Sequence, residues 1–166
     1  MPNSHAENVR SQFWDAQLYP VDPIAIAKRM GLQVFDAALP PGVSGAIMKR
    51  SGEPAAIYLD QSDSRQRRRF TCAHELGHYV DHLNKARVNS VDMDSYQFID
   101  YRNGISSAGI DASERFANQF AACLLMPAGR VQANACSGWS LWQQASYFDV
   151  SAEAMHYRLM NLGIAQ

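Results

Sequence analysis

Across residues 67–78 the chain reads Arg67-Arg68-Arg69-Phe70-Thr71-Cys72-Ala73-His74-Glu75-Leu76-Gly77-His78. No glycine or proline interrupts this run before Gly77. Ser62 or Asp63 offers an N-cap, so a long helix is predicted from about Ser62 to His82 or beyond. Residues four apart on a helix share a face, roughly 6 Å from one another. His74 and His78 therefore aim two imidazoles at one place, where each nitrogen can approach an ion to about 2.0–2.1 Å. Glu75 stands one step round the helix. It reaches a water on such an ion rather than the ion itself, as a general base for hydrolysis must. The competing explanation is a helix with two ordinary polar histidines.

A metal site of this kind needs a third ligand. His82 continues the spacing, but eight residues of helix put it roughly 12 Å from His74, too far to share an ion. Glu114 is the better candidate. It stands in the first turn of a helix predicted over Asp111–Leu125, on one face with Asn118 and Ala121. The small residues Ala117, Ala121 and Ala122 let that helix approach the histidine helix closely. Asn118, one turn after Glu114, can hold a ligand histidine by its other ring nitrogen. A first-turn glutamate is also favoured by the helix dipole alone, so both explanations of Glu114 stay open. Asp81, Asp92, Asp94, Asp100 and Asp111 are rival carboxylates, and Asp81 can equally face solvent.

Outward from this centre, a first helix is predicted over residues 6–18 and a second from Asp22-Pro23 to Met30, ended by Gly31. Leu32–Asp36 reads as a short strand. Ala46–Lys49 and Ala55–Leu59 flank a Ser51-Gly52 turn signal and suggest a hairpin. Residues 85–111 read as a long irregular excursion. Beyond Pro127, helices are expected near 128–134, 138–147 and 151–162. Strands in one cluster and helices elsewhere give an α+β fold. The 166 residues suit one domain, residues 1–166, with an N-terminal part to 60, the two central helices over 61–127 and C-terminal helices over 128–166.

A net charge of -1 provides no general attraction for phosphate backbones or anionic membranes. No run of about 18 apolar residues exists, so no membrane span is expected. Cys72, Cys123 and Cys136 are odd in number and form no CxxC pair. They suit reduced thiols in a cytoplasmic protein, and Cys72 and Cys123 are expected in the core.

The 67–78 stretch resembles the ImmA/IrrE family of metallopeptidases. So does Glu114-Arg115-Phe116-Ala117-Asn118-Gln119-Phe120-Ala121-Ala122-Cys123-Leu124-Leu125-Met126-Pro127. Pro20-Val21-Asp22-Pro23 near the start and Phe148-Asp149-Val150-Ser151 near the end are similar too, and the likeness spans roughly residues 12–163. The resemblance implies a zincin-like minimal metallopeptidase: a small antiparallel or mixed sheet beside the HExxH helix, with a helix-turn-helix-like ending. It implies Zn2+ held by His74, His78 and Glu114, with Glu75 catalytic. It further implies a substrate class, a helix-turn-helix repressor or antitoxin, often encoded nearby on phages, mobile elements or stress-response loci.

Two rival functions remain. One is a zinc-stabilised module that sequesters a regulator without cutting it. The other is a DNA-binding regulator using residues 141–162, but Arg158 is the one fixed positive charge on its second helix, and DNA binding wants a basic face. Leu141, Ala145, Phe148, Val150, Met155, Leu159 and Leu162 read instead as packing residues. Arg65, Arg67, Arg68 and Arg69 form a basic cluster, read as a solvated surface or as a contact for substrate carboxylates. Tyr79, Tyr96, Tyr101, His156 and Tyr157 are candidate oxyanion donors, and nothing selects one. An extended substrate is expected along the edge of the Ala46–Leu59 hairpin.

Overall fold

The computed structural model describes residues 2–92, 94–103 and 112–164, with the side chains of 100–103 left out of the description. The elements are α1 (Pro2–Phe13), α2 (Pro23–Arg29), β1 (Gln33–Ala37), β2 (Val43–Lys49), β3 (Ala56–Asp60), α3 (Arg65–Val88), β4 (Phe98–Asn103), α4 (Ala112–Leu125), α5 (Ala128–Cys136), α6 (Leu141–Phe148) and α7 (Ala152–Asn161). The α+β class stands, with a small mixed sheet and the HExxH residues in a helix.

Local chemistry explains most of the boundaries. Asp22 accepts from the backbone N–H of Ile24 and Ala25 at 2.9 and 3.2 Å, Pro23 occupies the first turn, and Gly31 leaves at φ 85. The first helix ends at Phe13, short of the predicted Leu18. There Arg29 Nη1 donates to Phe13 O at 2.8 Å, and the Trp14 indole N–H turns to Leu18 O at 2.9 Å. The cap of α3 is Ser64, not Ser62 or Asp63: its hydroxyl accepts from Arg67 N–H at 3.3 Å. In the tail, Ser140 and Gln143 form a capping box on α6, Asp149 takes the left-handed turn at φ 52, and Ser151 caps α7.

The sheet order is β1-β3-β2-β4. β1 runs parallel to β3, while β2 is antiparallel to both β3 and β4. The predicted hairpin is therefore β2–β3, but it lies at the centre of the sheet. Both of its outer edges are taken, one by β1 and one by β4, so the expectation that a substrate adds to the hairpin edge is wrong. β4 was missed. It lies inside the stretch read as an irregular excursion, where Phe98, Ile99 and Tyr101 carry strand propensity that the surrounding polar residues obscured. α3 also runs on to Val88, so the excursion starts later than expected.

Strand alternation sends Ile47, Ile57 and Leu59 inward onto α3 and leaves Phe35 and Tyr58 stacked on the other face, ring centroids 5.5 Å apart. Cys72, Leu76 and Val80 of α3 meet Phe120, Leu124 and Leu125 of α4 in the same cluster. Fully burying one such Leu or Phe contributes about 1.5–3 kcal/mol. Ala145, Phe148, Val150, Met155 and Leu159 are buried, with Leu141 and Leu162 packed against the cluster, as a packing role requires. Cys72 and Cys123 are buried free thiols, and Cys136 is exposed. Among the described residues, no helix is long and apolar enough to cross a membrane.

Candidate metal centre

Two helices build the centre, and one close approach lets them meet. A Cβ built on Gly77 would lie 2.8 Å from Ala117 Cα and 3.2 Å from Ala117 O. Only hydrogen fits there, so α3 and α4 touch backbone to backbone between His74 and His78 on one side and Glu114 and Asn118 on the other. Ala117 and Ala121 are fully buried in that seam.

Each ring nitrogen of the two histidines faces a named atom. His74 Nε2 and His78 Nε2 lie 3.0 Å apart, with the rings edge to face. Glu114 presents Oε2 to His74 Nε2 at 3.3 Å and Oε1 to His78 Nε2 at 3.1 Å. His74 Nδ1 lies 3.0 Å from Asn118 Oδ1. An amide oxygen only accepts, so the Nδ1–H donates, and in the neutral ring His74 Nε2 keeps a bare lone pair. Ser113 Oγ lies 3.4 Å from His78 Nδ1 and donates to Asp81 Oδ2 at 3.0 Å. His74 and His78 are buried.

Among the described residues, His74, His78 and Glu114 offer one ligand atom each, all within 4.8 Å of one another. The donor set suits a cation. With the hydrogens on the two Nδ1 atoms, two bare Nε2 nitrogens 3.0 Å apart would repel unless positive charge lay between them, and a carboxylate faces both. Nitrogens about 2.0–2.1 Å from one tetrahedral ion would stand roughly 3.3 Å apart, close to what is observed.

Glu75 is fully buried on the sheet side of α3. Gly45 of β2 lies directly over it: a Cβ there would fall 2.3 Å from Thr71 Cγ2 and 3.4 Å from Glu75 Oε1. An isolated glycine inside a strand marks such an approach, so this position was findable, although nothing identified its partner. The strand register shifts between Val43 and Gly45, and Ser44 is held there by Arg67 Nε and Nη2 at 2.9 and 2.7 Å.

The other candidates fall elsewhere. His82 stacks on Phe98 at 3.8 Å, and its Nδ1 lies 3.1 Å from Tyr96 Oη. Asp92 and Asp94 are exposed beyond the end of α3. The side chains of Asp100 and Tyr101, and all of Asp111, lie outside the described residues. His156 and Tyr157 are exposed on α7, and Tyr79 is half-buried, which raises its phenol pKa. The basic cluster is not a free patch. Arg65 and Arg69 bind Asp149 at 2.8 and 3.2 Å, Arg67 binds Ser44 and Asp63, and Arg68 pairs with Asp36. Arg158 is buried and donates to Met126 O at 2.9 Å, so it does not face outward to a ligand. Asp81, read as a solvent-facing rival, is held between Ser113 and Lys85; its spacing of three from His78 was the one available sign.

No curated protein sequence matches the chain at a significant level. Among solved structures, a Mycobacterium tuberculosis transcriptional regulator superposes with a TM-score of 0.64 at 18% identity. The match covers 95% of this chain and 46% of that one, so this chain spans about half its length and shares its fold. The pattern of the IrrE N-terminal-like domain, a peptidase family, matches residues 27–160. That span holds both central helices and the sheet, and the chain belongs to the ImmA/IrrE family.

Proposed function

We propose that this protein is a zinc-dependent endopeptidase in which His74, His78 and Glu114 hold the metal and Glu75 is the general base. Its substrate on this reading is a partner protein, a helix-turn-helix repressor or antitoxin. The observation that carries the proposal is the convergence of His74, His78 and Glu114 ligand atoms within 4.8 Å, with a buried Glu75 on the same helix.

When bound, zinc supplies a Lewis acid for the scissile carbonyl and lowers the pKa of water toward about 7. The chain's own groups do the rest. Glu75 takes the proton of the attacking water on its carboxylate and passes it to the leaving amine nitrogen. Burial excludes bulk water from that carboxylate, and Gly45 leaves room for it beneath β2. Asn118 keeps the His74 ring oriented with Nε2 toward the metal position. An extended substrate would add at an outer edge of the sheet, along β4 or β1, because neither outer side faces another strand among the described residues. The family resemblance supports the repressor class of substrate.

Replacing Glu75 by Gln keeps the shape and removes the base. Glu75→Gln should retain one zinc and cut the candidate repressor about 10²–10⁴-fold more slowly than the parent, measured by fragment appearance. An unimpaired Glu75→Gln protein rules out the mechanism. A zinc-loaded parent that binds the repressor and leaves it intact favours sequestration instead.

A further inference from the structure

One turn and a half of α4 addresses both ring nitrogens of both histidines. Glu114 faces the two Nε2 atoms, Asn118 meets His74 Nδ1, and Ser113 meets His78 Nδ1. The contact at His78 continues past the serine. Ser113 Oγ donates to Asp81 Oδ2 at 3.0 Å, and Lys85 Nζ lies 2.6 Å from the same oxygen. With its proton committed to Asp81, the hydroxyl turns a lone pair toward His78. An Nδ1–H satisfies that lone pair, whereas a bare Nδ1 would oppose it. The hydrogen is thereby fixed on Nδ1, and Nε2 is left to face Glu114.

We propose that Asp81, acting through the Ser113 hydroxyl, is a positioning residue that fixes the tautomer and ring orientation of His78 as a metal ligand. This inference rests on the reading that His74, His78 and Glu114 hold zinc. The two histidines are then supported differently: His74 leans on a neutral amide, His78 on a hydroxyl backed by a carboxylate. A carboxylate behind a ligand imidazole raises its basicity as well as holding it. The Asp81 side chain is only 17% exposed, whereas Lys85 is 52% exposed, so their ion pair is screened and weak by itself. The role of Asp81 therefore lies toward Ser113 rather than toward Lys85. Ser113 also adjoins Glu114, so winding the first turn of α4 brings the third ligand and the prop for the second into place together.

The test is zinc affinity, read by competition with a chromophoric chelator on the full chain, with thermal unfolding of the metal-free protein to monitor folding. The parent should bind one zinc. Ser113→Ala and Asp81→Ala should each weaken binding about 10–100-fold without unfolding the metal-free chain. Ser113→Thr keeps the hydroxyl and should rescue most of the loss, and Lys85→Ala should change little. The Ser113→Ala/Asp81→Ala pair should be no weaker than the worse single variant, because both cut the same chain of hydrogen bonds. Parental affinity in both single variants overturns the proposal, as does Lys85→Ala losing as much as Asp81→Ala. If the parent itself binds no zinc, the metal reading fails and this inference with it; if the parent binds and the variants bind equally well, the relay alone is wrong.

Discussion

The first turns of α3 and its middle lie on one helix and are put to opposite use. Arg65, Arg67, Arg68 and Arg69 are charged groups that tie the helix to other elements: Arg68 to Asp36 of β1, Arg67 to Ser44 of β2, and Arg65 and Arg69 to Asp149 between α6 and α7. His74 and His78 carry no permanent cation, are buried, and bring their ligand atoms within 4.8 Å of that of Glu114. One end is fastened by charges that already have partners. The other brings two imidazole nitrogens and a carboxylate together. Damage to the arginine end should therefore cost stability and spare metal binding, while damage at the seam beside the histidines should do the reverse.

Arg69 offers the strongest test of that division. Its side chain is 9% exposed, and Nη2 donates to Val21 O at 2.7 Å and Phe148 O at 3.3 Å while Nε donates to Asp149 O at 3.1 Å. Burial lowers its pKa, opposed by the attraction of Asp149. Arg69→Ala strands three carbonyls and weakens the hold on the α6–α7 turn. A loss of about 3–5 kcal/mol is expected. In a chain of this size that lowers Tm by about 10 °C or more, seen by thermal unfolding. Zinc affinity of the folded fraction should match the parent. A large fall in that affinity would show that the two regions are coupled.

Gly77 tests the other side. Gly77→Ala places a methyl within 2.8 Å of Ala117 Cα, a backbone atom that cannot swing aside. Overpacking of this kind costs about 1–3 kcal/mol, offset by up to about 1 kcal/mol from the better helix propensity of alanine. The helices must part, which carries Glu114 away from both Nε2 atoms. Zinc affinity should fall by about 10-fold or more while Tm drops less than in Arg69→Ala. Unchanged zinc affinity in Gly77→Ala would mean that the close approach does not set the ligand geometry.

The same contrast explains what could be read from the residues alone. Helix periodicity, the Asp22 and Ser151 caps and the HExxH spacing are local rules, and they located α2, α3, α4 and α7 within a few residues. Glu114 and Asn118 could be singled out as candidates because they fall one turn apart on a single face, and the structure places both against the histidines. β4 escaped because a strand's stability lies in its partner, and Phe98–Asn103 pairs with β2, about fifty residues away. The arginine cluster was read as solvated surface because its acceptors, Asp36, Ser44 and Asp149, are scattered along the chain, and no spacing rule links them. Asp81 looked solvent-facing because its partner Ser113 belongs to another helix. Local pattern singles out the candidate metal ligands; the tertiary contacts determine which of the remaining charges are spoken for.

The smallest expected effect lies at Arg65, and it bounds the arginine end from outside. Arg65 Nε meets the same Asp149 Oδ2 as Arg69, at 2.8 Å rather than 3.2 Å. Distance alone would rank it the more important of the two. Its side chain is 74% exposed, however, so water and salt screen the pair, and ordering a long side chain offsets most of the attraction. Arg65→Ala should cost no more than about 0.5 kcal/mol at moderate salt, and less as salt rises. It should leave zinc affinity untouched. A denaturant midpoint shifted as far as in Arg69→Ala would mean that charge on Asp149, rather than the buried donors on its neighbouring carbonyls, holds the turn. A negligible shift assigns the fastening to the buried guanidinium, whose value comes from the three carbonyls it satisfies out of reach of water.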